Sequence, residues 1–144
     1  MGRHNIRRLH AVADAALALM SDETREVVMP IAAFLPGRRF RRALHDAARR
    51  GVRVVLLVQG LSDHPVMQYA SRALFGAFLD AGVEIHEYTR SELHAKVAVF
   101  DGVVACVGSS NIDPFSLVLA REANVFVRDM RFSSALRASV FEAV

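Results

Sequence analysis

The chain has 144 residues, 53% of them apolar and 23% charged, which suits one domain with a sizeable core and excludes a disordered polymer. No stretch approaches the roughly 20 apolar residues of a spanning helix, and the opening Met1-Gly2-Arg3-His4-Asn5-Ile6 carries neither a signal-peptide core nor a myristoylation pattern. The net charge of +3 favours phosphate-bearing partners without separating nucleic acid from an anionic membrane surface.

The whole chain, 1–144, is expected to be one domain, with a leading helix over 1–21 and an α/β core over 22–144. In the leading segment Ile6, Leu9, Val12, Ala16 and Leu19 recur at helical spacing. Glu26 to Ala33 is a strand candidate in which Pro30 is awkward, because proline cannot donate to a ladder. Arg38 to Arg50 reads as a helix with Phe40, Ala43, Leu44 and Ala47 on one face, stopped at Gly51. That periodicity makes Arg38-Arg39-Phe40-Arg41-Arg42 the solvated face of a helix rather than a nucleic-acid patch. Val52 to Val58 is a β-branched strand. Pro65 to Asp80 is a second helix and Val83 to Tyr88 a strand.

Leu93 to Phe100 alternates like a strand, Asp101-Gly102 is a hairpin turn signal, and Val103 to Val107 returns. A polar loop follows, then a strand over Glu122 to Val127 and a closing helix over Phe132 to Val144. Strands alternating with helices and then a hairpin predict a mixed β-sheet flanked by helices, in the α/β class. Cys106, the single cysteine, falls in an apolar strand and reads as a small core residue; no internal disulfide is possible, and a reducing compartment fits.

Chemistry concentrates in the second half. On a strand, His94 and Lys96 share a face, being two residues apart. Gly108-Ser109-Ser110-Asn111 follows after one hairpin, then Glu122 and Asn124, again two apart. A sheet can gather His94, Lys96, Asn111 and Glu122 at one edge. An imidazole can attack phosphorus or move protons. An ammonium and an amide can hold the non-bridging oxygens, and a carboxylate can fix the imidazole tautomer. Seventeen of the eighteen basic residues are arginine, and the one lysine is Lys96. A compact point charge is not interchangeable with a planar fork, which sets Lys96 apart from the other cations. His4, His10, His45, His64 and His86 have no metal-like spacing.

His94-x-Lys96-x4-Asp101 followed by Gly108-Ser109-Ser110-Asn111 resembles the phospholipase D superfamily motif. The run Asn111-Ile112-Asp113-Pro114-Phe115-Ser116-Leu117, then Glu122-Ala123-Asn124-Val125, is most similar to the second, C-terminal motif of bacterial cardiolipin synthases. Phe34-Leu35-Pro36-Gly37-Arg38-Arg39-Phe40 and Val58-Gln59-Gly60 look like the segment upstream of it. The resemblance departs in two ways: Ala33 stands where an aromatic is usual, and the chain holds one copy of a motif that those enzymes carry twice.

The resemblance implies phosphatidyl transfer between phospholipids through a phosphohistidine, with this chain as one half of a two-motif site. It implies catalytic roles for His94, Lys96, Asp101 and Glu122 and phosphate contacts from Lys96, Ser109 and Asn111. His94 would be the acid and base, or, if two copies pair, would take each role once. Asp-Gly is also what a hairpin turn wants, and for Asp101 the turn reading is favoured. Asp113 and Ser116 would brace the loop. No cofactor or metal is implied. The implied partners are a phospholipid, with phosphatidylglycerol favoured, a membrane surface, and a second motif-bearing half from a homodimer or from a missing N-terminal half. The implied location is peripheral, on the cytoplasmic side of the inner membrane. Two alternatives stay open: a single-motif homodimeric nuclease or phosphodiesterase, for which nucleic acid would be the partner, and an inactive truncated fragment.

Overall fold

The computed structural model describes residues 14–32, 34–61, 65–109 and 123–144. A helical segment at 14–19 is followed by β1 (Glu26–Ile31), α1 (Arg38–Arg49), β2 (Arg53–Gln59), α2 (Pro65–Asp80) and β3 (Glu84–Tyr88). Then come β4 (Val97–Phe100), β5 (Val104–Gly108), β6 (Asn124–Arg128) and α3 (Met130–Glu142). The six strands form one sheet in the order β3-β2-β1-β4-β5-β6. β1, β2 and β3 run parallel, joined by the α1 and α2 crossovers, whereas β4, β5 and β6 pair antiparallel.

The central strands are apolar without alternation because both sheet faces are covered. On one face Phe40, Leu44 and Ala47 of α1 and Phe78 of α2 pack on Val27, Met29, Val54 and Leu56. Phe34 meets Phe78 edge to face at 5.1 Å between ring centroids, a favourable aromatic geometry. On the other face Val140 of α3 closes over Val28, Val55, Leu57, Val99 and Ala105. Arg38, Arg39 and Arg42 are exposed and Arg41 half-buried around the buried Phe40, as the solvated-face reading expects. Cys106 is buried, and burial raises its thiol pKa.

Pro30 sits inside β1 after all, in a central strand. β1 pairs with β4 at Val27↔Phe100 and Val28↔Val99, and contact resumes only at the isolated bridge Ile31↔Lys96. That register sets Pro30 opposite Val97, at a position where a ladder donor would be needed. The missing N–H therefore falls on the β4 side, and the ladder has its gap there. The expected strand 26–33 ends at Ile31 as β1.

Asp101 and Gly102, both at positive φ (54° and 64°), make the turn between β4 and β5. Asp101 Oδ1 accepts from the N–H groups of Arg25 and Glu26, each at 2.8 Å. Around that end of the sheet, Glu26 accepts from Arg137 and Arg53, and Arg53 also clasps Glu84. The guanidinium groups of Arg53 and Arg137 lie over the Phe141 ring at 5.2 and 4.6 Å. Hydrogen bonding to Arg137 holds the Glu26 carboxyl below its ordinary value.

Candidate active site

The candidate site lies at the opposite end of the sheet. Here β1 and β2 finish, β4 starts and β5 finishes. Lys96 is bridged to Ile31 on one side, and its carbonyl accepts from Gly108 N–H at 3.2 Å on the other. Gly108 in turn pairs with Asn124 at the start of β6. A Cβ on Gly108 would stand 2.0 Å from Asn124 Oδ1 and 2.5 Å from the Ala123 carbonyl. Glycine is required there because two strands close on one backbone.

The strand expected from Leu93 begins only at Val97. β1 stops at Ile31, so residues 93–95 have no neighbouring strand to pair with among the described residues, and the same-face argument for His94 and Lys96 does not apply. The two side chains meet nonetheless, with Lys96 Nζ 3.0 Å from His94 Nε2. An ammonium can only donate, so Nε2 accepts, and its lone pair faces Lys96. His94 is exposed and Lys96 half-buried, so the pair is reachable from solvent.

The irregular segment before Lys96 is held by a residue that the sequence reading placed in the resembling segment without giving it a role. Gln59, the last residue of β2, accepts from Leu93 N–H through its side-chain oxygen and donates through its amide nitrogen to the Leu61 carbonyl. The amide does for residue 93 what a neighbouring strand would have done. A polar residue closing an otherwise apolar run, Val54 to Val58, was the available signal. Tyr88 Oη and Ser91 Oγ, 3.1 Å apart, brace the same segment.

The other site residues separate. Ser109 is at this end, but its Oγ accepts from Ala123 N–H at 3.0 Å, and its own N–H donates to the Ala123 carbonyl at 2.9 Å. The hydroxyl is engaged in joining β5 to the approach of β6. Asp101 is not brought to the site: it lies at the far end of β4, on the order of 15 Å from Lys96 at the usual rise per residue, bound to backbone. Asn111 and Glu122, with Ala33, Asp113, Ser116 and the polar loop, lie outside the described residues. Among the described residues no cluster of histidine, cysteine and carboxylate could hold a metal, and no helix is long and apolar enough to cross a membrane.

A family model for the cardiolipin synthase, PLD-like domain matches residues 17–143. Cardiolipin synthase B of Escherichia coli (strain K12) is 46% identical over 121 residues, which cover 84% of this chain and 29% of that protein. A probable cardiolipin synthase of Bacillus subtilis, YwiE, is 34% identical over 128 residues, 89% of this chain and 26% of that one. The chain thus spans less than a third of these relatives' length. Among solved structures, Nuc from Salmonella typhimurium, a phospholipase D family member, superposes with a TM-score of 0.79 at 19% identity. That match covers 91% of this chain and 85% of Nuc, and it shows a shared fold.

Proposed function

The chain belongs to the cardiolipin synthase, PLD-like domain family, and from that membership we propose that it supplies one motif of a two-motif phosphatidyltransferase site. The observation that carries this reading is the His94–Lys96 contact, 3.0 Å long, lying inside a stretch 46% identical to a cardiolipin synthase. The substrate class is phospholipid, with phosphatidylglycerol as donor and acceptor, and the chain works peripherally at a membrane surface, on the cytoplasmic side of the inner membrane.

A second motif histidine, from a second copy of the chain or from a separate half, attacks the phosphorus of the donor. The bond to the leaving glycerol oxygen breaks as a phosphohistidine forms. His94, protonated at Nε2 from solvent once Lys96 has turned away, gives that oxygen its proton, then regains one from a hydroxyl of the acceptor phosphatidylglycerol. The acceptor oxygen displaces the histidine, giving cardiolipin and free glycerol, and both imidazoles return to their starting state. Lys96 turns from Nε2 to a non-bridging phosphate oxygen, where its fixed charge is worth most as negative charge grows. Asn111 and Glu122 are proposed to bind phosphate and to orient the imidazole. Ser109 and Asp101 are proposed as supports, of the loop and of the turn.

The test begins with the solution molar mass, since 15.9 kDa is one motif and twice that is two. The dimer, or the chain paired with an N-terminal half, is then given phosphatidylglycerol vesicles. Cardiolipin and glycerol in equal amounts, both abolished by His94→Ala, are expected. A two-motif assembly that cleaves nucleic acid and leaves the lipid untouched would overturn the reading in favour of the nuclease alternative.

A further inference from the structure

A cavity of about 440 Å3 opens beside His94, within the size range of ligand pockets. It lies between the ends of β1 and β2, the first turns of α2 and the segment 91–94. Phe34, Val58, Phe75 and Leu93 supply apolar wall. Its charges do not suit a phosphate: Arg72 is clasped by Glu87 through two hydrogen bonds of 2.8 and 3.2 Å, and Glu92 adds a further carboxylate to the lining. Nor do its amides suit a polyol. Gln59 is engaged with Leu93 and Leu61, and Gln68 donates to the Gly60 carbonyl.

The mouth points the same way. Leu61 and Met67 line the cavity and are nonetheless 55% and 41% exposed. Beside them on the first turns of α2, Val66 is 80% and Tyr69 73% exposed. Two large apolar side chains stand exposed at the mouth and two more on the same turns of the helix, a closer grouping than the scattered singles of an ordinary surface.

We propose that this cavity takes one acyl chain of the phospholipid whose phosphodiester lies at His94, and that the lip formed by Leu61 and Met67 rests on the membrane surface from which the acyl chain enters. This rests on the phospholipid reading above. The occupant is hydrocarbon because Phe34, Val58, Phe75 and Leu93 wall the cavity and its two amides and its arginine are already engaged. A chain passing from bilayer to cavity over that lip would stay out of water.

The chain contains no tryptophan, so single-tryptophan variants report without background. Met67→Trp places the reporter on the lip and Phe75→Trp in the wall. Met130→Trp replaces an exposed residue of α3, on the other face of the sheet. Each is mixed with phosphatidylglycerol vesicles whose acyl chains are brominated. At least twofold quenching of Met67→Trp and Phe75→Trp is expected, with Met130→Trp unchanged. Should Phe75→Trp not fold, Leu93→Trp, also in the wall, takes its place. Quenching at Met67→Trp alone would mean membrane contact without chain entry and would overturn the cavity assignment. Equal quenching at Met130→Trp, or none anywhere, would overturn the lip. Quenching needs no turnover, so it is read separately from the transfer assay, in which the proposed function stands or falls.

Discussion

Lys96 and His94 touch through one hydrogen bond, and that bond must open before Nε2 can move a proton at a phosphodiester. Lysine suits this because its ammonium is a compact charge on a flexible stem, free to turn from imidazole to phosphate. Arginine at the same place would present a broad fork and a different reach. Lys96→Ala is therefore expected to lower kcat about 100-fold or more, and Lys96→Arg to recover little of it, both read by the rate of phosphatidyl transfer in the two-motif assembly. Gln59 acts at one remove, through Leu93. Gln59→Leu is expected to lower kcat about 10- to 100-fold, with KM little changed, because a displaced imidazole loses attack geometry rather than substrate. Gln59→Glu keeps an acceptor for Leu93 N–H and should retain more activity. Equal losses in both variants would mean that Gln59 supports the fold and not the ring.

At the scale of elements, the His-x-Lys-x4-Asp pattern divides across the length of one strand. Its first two members precede β4 at the candidate site, and its third follows β4 at the opposite end of the sheet. Asp101 fits its place physically, accepting two backbone N–H groups at 2.8 Å while holding a positive φ that few residues other than glycine, asparagine and aspartate adopt readily. Asp101→Ala is expected to lose about 1–3 kcal/mol of stability with kcat unaltered in the protein that remains folded. Asp101→Asn, which keeps an oxygen acceptor and tolerates the turn, should lose little. Thermal melts beside single-turnover rates separate the two effects.

The same elements show what the sequence could disclose. The α1 face was legible because Phe40, Leu44 and Ala47 recur at helical spacing, and the hairpin was legible from Asp101-Gly102. The start of β4 was not. Alternation continues through Leu93 to Ala95, but pairing depends on where β1 ends, which is a property of the neighbour. The role of Gln59 was hidden for the same reason: its partner lies 34 residues away in sequence. Pro30 was legible as a difficulty, and its solution, a gap on the β4 side alone, needed the register.

Over the whole molecule, the ionic cluster at the end away from the site links β1, β2, β3 and the last turns of α3. Glu26 is held below its ordinary value of 4.5 by Arg137 first and by Arg53, and Glu84 is lowered by Arg53. A carboxyl whose folded-state pKa is depressed adds stability above its unfolded value and loses it as pH falls through the folded one. Unfolding free energy is thus expected to hold above about pH 4.5 and to decline below it. Glu26→Gln should flatten that decline and lower the neutral-pH plateau. Urea titrations at a series of pH values measure both, and an unchanged slope in Glu26→Gln would remove Glu26 from the account.

The order of pairing in the sheet also bears on how the site comes into being. β4 and β5 are neighbours in sequence and need only a three-residue turn to meet, whereas β1, β2 and β3 must wait for two helical crossovers to be laid down. Hairpins close in microseconds, and pairings distant along the chain form more slowly. Lys96 and the Gly108 backbone that accompanies it belong to the early piece. The cavity, walled chiefly by the ends of β1 and β2 and by α2, belongs to the late one. The two meet only when β1 zips to β4, along the one seam where Pro30 withholds a hydrogen bond. On that order the folding chain holds Lys96 beside Gly108 before the cavity has closed, and the proposed site is complete only once β1 and β4 have paired.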